Sequence, residues 1–271
     1  MTRAVLSFVC DNLFMPAGSI RARVRAEMIA EIKTIARRHL ETDGANLSLR
    51  AVARDMGMVS SALYRYFASR DDLLTALILD AYNALGEAAE AADAAVTDRS
   101  QLRARWLATA RGIRGWALRT PAEYALLFGT PVPGYAAPAD TITAAARTPV
   151  VLIRILADGF ASGALTGESA LRIGAPAGGP GALAAAGPAR RPQAAGIAGR
   201  LADAVRADLN RARGDIAPEL PDELMLAGIT GWVQLFGMVS FELSGQFNNV
   251  IEARAEFFGL QMEVMADLIG L

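Results

Sequence analysis

Between Leu47 and Leu74 the chain reads LSLRAVARDMGMVSSALYRYFASRDDLL, two short helical patterns joined at a glycine. The spacing predicts a first helix opening at Ser48, whose hydroxyl can cap free backbone N–H groups, with Leu49, Val52, Ala53 and Met56 on one face. Gly57 ends it, because a residue without Cβ takes the left-handed conformation a helix stop requires. After Met58 and Val59, a second helix is expected from Ser60 or Ser61 to about Phe67, with capping passing to Ser60 because Val59 offers no side-chain oxygen. Leu63 and Phe67 face inward and Ala62 and Tyr66 flank them, which leaves Ser60, Ser61, Tyr64 and Arg65 outside. A glycine turn of this length is the signature of a helix pair that enters a DNA groove.

The exposed side chains suit that task. Arginine pairs with guanine or phosphate, and hydroxyls reach bases or phosphates. Ser69 is placed to cap the next helix, with Asp71 and Asp72 in its first turn and Arg70 beside the groove. Ser48, Arg50 and Tyr66 complete the contact set. Arg21, Arg23 and Arg25, at the start of the preceding helix, can reach phosphates or a minor groove.

The stretch from about Arg21 to Leu77 resembles the DNA-binding domain of the tetracycline-repressor (TetR) family, through IARRHLETDGA, LRAVARDMG and above all SSALYRYFASRDDLL. The resemblance implies phosphate contacts at Tyr64 and Arg70 and base reading at Ser60, Ser61 and Arg65. Further along, PAEYALLFGTPVPGY and GWVQLFGMVSFELSG resemble the C-terminal ligand-binding body named WHG, carried by a subgroup of TetR-type regulators. Trp232 and Gly237 match the naming residues, whereas Phe236 stands where the histidine is usual. These resemblances imply a homodimeric regulator of transcription.

The fold expected is all-α: an N-terminal three-helix helix-turn-helix domain over residues 21–70 and a helical bundle for ligand binding and dimerisation over 71–271. Residues 1–20 read as a disordered extension rather than a signal peptide, since no small-residue cleavage site follows the apolar run. The glycine-, alanine- and proline-rich stretch at about 167–193 reads as a mobile loop. Helices are expected at about 21–42, 71–96, 99–119, 121–128, 138–164 (with a break at Thr148-Pro149), 194–213, 221–243 and 245–271. In the first, Val24, Met28, Ile32, Ile35 and Ala36 share a face.

Charge is uneven. From Ile20 to Arg70 ten basic side chains face five acidic ones, a net of +5; the whole chain carries −1, so the remainder carries −6. A basic head on an acidic body is the expected footprint of a nucleic-acid binder.

Leu224 to Phe241 contains no charge. It is long enough to be weighed as a membrane span, but glycines, Thr230 and Gln234 dilute it, and Glu223 and Glu242 bracket it. Burial between the chain's own core and a second copy accounts for it better, with Ala227, Gly228 and Gly231 permitting close approach, so no membrane partner is expected. An apolar effector is expected among Trp106, Ile113, Trp116, Tyr124, Phe128, Phe160, Trp232 and Phe236, aromatic or apolar positions in stretches with few charges.

One histidine, His39, and one cysteine, Cys10, leave no set for a thiolate or imidazole metal site or for a nucleophile–histidine mechanism. The single cysteine also suits a reducing, cytoplasmic setting. GAPAGGPG lacks the lysine of a phosphate loop. No cofactor and no catalytic residue are expected. An enzyme or carrier acting on a small apolar molecule within the helical body stands as the alternative.

Overall fold

A computed structural model describes residues 17–44, 46–167, 170, 201–214 and 216–271. The expected N-terminal extension lies almost wholly, and the 167–193 loop almost wholly, outside them. Ten α-helices and no strand occur among the described residues. We number them α1 (Ala17–Asp43), α2 (Leu49–Asp55), α3 (Ser60–Leu63), α4 (Arg70–Ala94), α5 (Leu102–Arg119), α6 (Pro121–Phe128), α7 (Thr141–Ala161), α8 (Asp203–Arg213), α9 (Asp222–Leu243) and α10 (Arg254–Ile269). The chain divides into two compact units, Met1–Ala81 with Ala122–Thr141, and Tyr82–Pro121 with Ile142–Leu271.

In the first unit, the helical periodicity becomes one core. Ile32, Ile35, Ala36 and Leu40 of α1 meet Leu49, Val52 and Ala53 of α2, Leu63 and Phe67 around α3, and Leu73, Leu74 and Leu77 of α4. Each such large aliphatic side chain, fully buried, contributes about 2 kcal/mol relative to exposure. The first turns of α1 run past this core, so Val24 stays 50% exposed instead of joining the face expected for it. The segment after α5 also belongs here. Ala122 and Leu126 of α6, with Val132 and Tyr135 of the following loop, pack against the same cluster. The Tyr135 and Thr75 hydroxyls lie 2.9 Å apart.

In the second unit α9 packs against α5, α8 and α10, and α10 against α5. Trp106, Ala110, Ile113, Trp116 and Ala117 of α5 are buried, as are Leu224, Leu235 and Val239 of α9 and Phe258, Met262 and Ala266 of α10. Arg105, 1% exposed, is held by Asp93 Oδ1 at 2.8 Å and Asp158 Oδ2 at 2.7 Å, which joins α4, α5 and α7. Burial raises the Asp93 carboxyl, but hydrogen bonds from Arg105 and Arg99 outweigh it and hold the group below its ordinary range. On α7, Arg147 grips Glu90 with Nε and Nη2 at 2.9 and 2.6 Å, and its hydrogen bonds lower the Glu90 pKa.

Two boundaries differ from expectation for local reasons. α7 runs through Pro149 without a break, at the cost of the helical partner of the Ala145 carbonyl. α10 begins at Arg254 rather than Gly245, because Gly245 and Asn249 take left-handed φ values of 76° and 62° in the intervening turns.

Candidate nucleic-acid interface

The geometry of the α2–α3 pair follows from its turn. Ser48 caps α2 by accepting the Ala51 N–H at 3.4 Å. At the other end, Gly57 has φ 66°. Its N–H reaches the Arg54 carbonyl at 3.0 Å while the Met58 N–H reaches Ala53 at 2.9 Å, the paired bonds of a Schellman stop. A Cβ at Gly57 would meet open space, so the requirement for glycine is conformational rather than steric.

α3 then opens without a side-chain cap. Val59 is the N-cap residue and Ser60 already lies within the helix, so capping does not pass to Ser60 as expected. The regular helix is also shorter than expected, ending at Leu63. Beyond it Arg65 and Tyr66 donate to carbonyls three residues back, Ala62 at 3.3 Å and Leu63 at 2.9 Å, which tightens the winding through Tyr66. Leu63 and Phe67 are buried and Tyr66 packs half-buried against the core, as their spacing requires. Ser61, Tyr64 and Arg65 are exposed and Ser60 is half-buried.

Five polar residues gather around one surface depression: Ser48, Arg50, Tyr64, Ser69 and Arg70 line it together with Leu47, Leu49 and Ala68. Tyr64 is 46% exposed. Ser69 caps α4 through the Asp72 N–H at 3.0 Å. Arg70 donates from Nε to the Leu47 carbonyl at 3.1 Å, which fixes its guanidinium at the depression's edge. Of the three early arginines, Arg21 and Arg23 are exposed on α1, and Arg23 lies 3.6 Å from Glu27. Arg25 has a structural task instead. Both its terminal nitrogens donate to the Arg65 carbonyl at 3.2 Å, and its guanidinium stands 5.1 Å from the Tyr66 ring centroid. Arg25 thus braces the end of α3, a contact not foreseen from sequence because it joins residues forty apart.

The charges of this unit are partly spoken for. Asp80 takes Lys33 at 2.7 Å and Arg37 at 2.6 Å, while Arg37 also meets Glu123 at 2.7 Å. His39 bridges α1 to the end of α2 through Asp55 Oδ2 at 2.8 Å. Arg50 and Arg65 form no ion pair among those found in the described residues, and both are exposed.

The aromatic positions expected to line an effector site are scattered. Tyr124 and Phe128 stack at 4.9 Å between centroids and belong to the first unit, not to the body. Trp106, Ile113 and Trp116 are core, and the Trp106 indole N–H is satisfied by the Met262 carbonyl at 3.0 Å. Phe160 is half-buried on α7. The second unit does contain an apolar cavity of about 320 Å³, and Trp232 alone of those eight positions lines it. Phe236 packs edge-on to Trp232 at 6.0 Å. The other walls come from Ala146, Pro149, Val150, Leu152, Ile153 and Leu156 of α7, Ala212 and Ile216 at and after the end of α8, and Met225, Gly228 and Ile229 of α9. The signal for it was the helical stripe Ala146, Pro149, Val150, Ile153, which a search for aromatic positions passes over.

The small residues expected to face a second copy face inward instead. A Cβ on Gly231 would come within 2.8 Å of Trp106 Cη2 and 2.9 Å of Ile269 Cδ1, and one on Gly228 within 2.6 Å of Leu156 Cδ1. Ala227 is fully buried. α9 has the length and apolar composition to cross a membrane, but one face is packed into this core.

A short helix pair locked by a Schellman turn, with a brace under the second helix and hydroxyls and guanidinium groups outside, defines a helix-turn-helix DNA-binding protein. The model for bacterial regulatory proteins of the tetR family matches residues 34–77, and the tetracyclin repressor-like C-terminal domain matches residues 106–265. HTH-type transcriptional regulator Rv1816 of Mycobacterium tuberculosis is 46% identical over 160 residues, covering 56% of this chain and 63% of that protein. Mb1846 of Mycobacterium bovis, also an HTH-type transcriptional regulator, gives the same figures. The match therefore spans less than two thirds of the length of these curated relatives. In structure, the chain is similar to SCO4313, described as a regulatory protein, at 32% identity and TM-score 0.62 over 93% of this chain and 98% of that one. A Rhodococcus sp. RHA1 protein of unknown function shares the fold at 19% identity and TM-score 0.59, over 88% of this chain and 92% of its own. The chain belongs to the TetR family of DNA-binding transcriptional regulators, which are not enzymes.

Proposed function

We propose that this regulator is a homodimeric, effector-responsive repressor acting in the cytoplasm on a pseudo-palindromic double-stranded operator. Each head sets α3 in a major groove, with half-sites about 34 Å apart or a multiple of it. The observation that carries the reading is the meeting of Ser48, Arg50, Tyr64 and Arg70 around one depression, beside the exposed Ser61 and Arg65. The depression suits the phosphate backbone, and Arg65 suits the guanine edge.

Pairing of two copies is supported by the outer faces of α9 and α10. Val233, Phe241, Leu260 and Val264 are exposed there, and a Cβ at Gly237 or Gly259 would meet nothing within 4 Å. Open glycines among exposed apolar side chains let two helices approach closely. The WHG-type grouping is supported by Trp232 and Gly237, with the Phe236 ring against Trp232 where the histidine is usual.

The test is binding to footprinted operator fragments over a salt series. Arg50→Ala is expected to weaken all sequences alike and to flatten the log–log salt slope by about 1. Arg65→Ala is expected to cost about 1–3 kcal/mol and to relax the preference at one base pair. Unchanged binding in both variants would sink the assignment of this face.

A further inference from the structure

Resting on the effector-responsive reading above, we infer that the cavity between α7, α8 and α9 is the effector site and that its ligand is an uncharged, apolar molecule of about two fused or linked rings. Among the described residues every lining side chain is aliphatic, a thioether or an indole, from Val150 and Ile153 on α7 to Met225 and Trp232 on α9. Among the described residues no side-chain hydroxyl, amide or charged group lines it and the Trp232 indole N–H is the one side-chain donor, so a carboxylate or ammonium entering it would shed its hydration with little in return. The arginines next to lining residues in sequence are engaged elsewhere or exposed: Arg147, beside Ala146, reaches Glu90 and Asn83, Arg211 and Arg213, which flank Ala212, reach Asp208 and Asp222, and Arg154, beside Ile153, is exposed.

Size sets the second limit. Protein interiors hold few voids larger than a water molecule, and an engineered apolar void of roughly 150 Å³ takes up benzene. A cavity of about 320 Å³ has room for about twice that. Shape favours a flat occupant, because Trp232 offers an indole that is 38% exposed and already edge-packed on Phe236.

The experiment uses the full-length protein and two probes of nearly equal shape, neutral 1-naphthylamine and its anionic 5-sulfonate. Binding is read by energy transfer from tryptophan, and operator retention is measured in parallel. The neutral probe is expected to bind one site per chain at least tenfold more tightly than the sulfonate. Val150→Phe, which fills the cavity from α7, and Ile229→Trp, which fills it from α9, are each expected to cut that affinity at least tenfold with the melting temperature kept or raised. Ile153→Glu is expected to abolish it. Equal affinity for the two probes overturns the ligand class. Undiminished binding in both filled variants, or no binding to the wild type, overturns the site. If the neutral probe binds here but leaves operator retention unchanged, the site stands and the effector-responsive reading falls. If it releases operator equally from wild type and filled variants, the reading stands and the site falls.

Discussion

Trp106→Phe separates a core tryptophan from a ligand wall. Trp106 is 1% exposed, and its indole lies where a Cβ on Gly231 would come within 2.8 Å. Its N–H donates to the Met262 carbonyl at 3.0 Å, stapling α5 to α10. Phenylalanine removes that bond and leaves the carbonyl buried, at about 1–1.5 kcal/mol. It also deletes two buried ring carbons, at about 0.8 kcal/mol each, and opens a small void that adds somewhat less than 1 kcal/mol. The sum is about 3.5 kcal/mol, or a fall in melting temperature of roughly 7–14 °C for a unit of this size. Differential scanning calorimetry on wild type and variant reads the shift, and titration with the neutral naphthylamine reads the cavity. A melting temperature within 2 °C of wild type, or a tenfold loss of probe affinity at unchanged stability, would refute the placement of Trp106 in the core.

Two further outcomes follow from the body. Gly237→Arg adds a charge on an open face of α9 and is expected to give folded monomers by light scattering, whereas Gly231→Arg would drive a side chain into Trp106 and is expected to lose folded protein altogether; dimeric Gly237→Arg would remove the α9–α10 pairing surface. The pKa values of Glu90 and Asp93 are lowered in the folded state, by the hydrogen bonds of Arg147 and, against burial, of Arg105 and Arg99. Their stabilisation is therefore complete above the ordinary carboxylate range and is lost as these groups protonate, so the melting temperature is expected to fall between about pH 5 and pH 3. Glu90→Gln should flatten part of that fall, and an unaltered acid profile would contradict the role of the Arg147–Glu90 pair.

The helix-turn-helix was legible because its determinants are local. Ser48, Gly57 and Ser69 act within three residues of themselves, and the spacing of Leu49, Val52, Leu63 and Phe67 already fixes an inward face. What sequence could not show depends on partners distant along the chain. The aromatic pair Tyr124 and Phe128 has the same helical spacing whichever unit receives it, and the contacts of Ala122 and Leu126 decide the matter. Gly231 on an apolar helix is equally consistent with facing a second copy or the chain's own core; Trp106 and Ile269 settle it. Val24 keeps the periodicity of α1 but stays half-exposed among the described residues.

The ion pairs of Asp80 and Glu123 change the electrostatic picture of the DNA-facing unit. Counted over the described residues of Met1–Ala81 and Ala122–Thr141, ten arginines and lysines face ten acids, because Asp71, Asp72, Asp80, Glu123 and Asp140 join the earlier ten and five. The +5 of the window from Ile20 to Arg70 thus vanishes over the folded unit. With no net charge to draw it from afar, the unit interacts with a polyanion through its dipole. Beyond a Debye length of about 10 Å at 0.1 M salt it feels little pull. Within that distance the exposed Arg50 and Arg65 at one face would meet a polyanion first, whereas Asp80 and Glu123 are locally neutralised by Lys33 and Arg37, so the proposed interface carries its own orienting charge. On the proposed interface, such a surface would penalise wrong orientations more than it rewards proximity, and selection of orientation would begin in the encounter, before any base edge is touched.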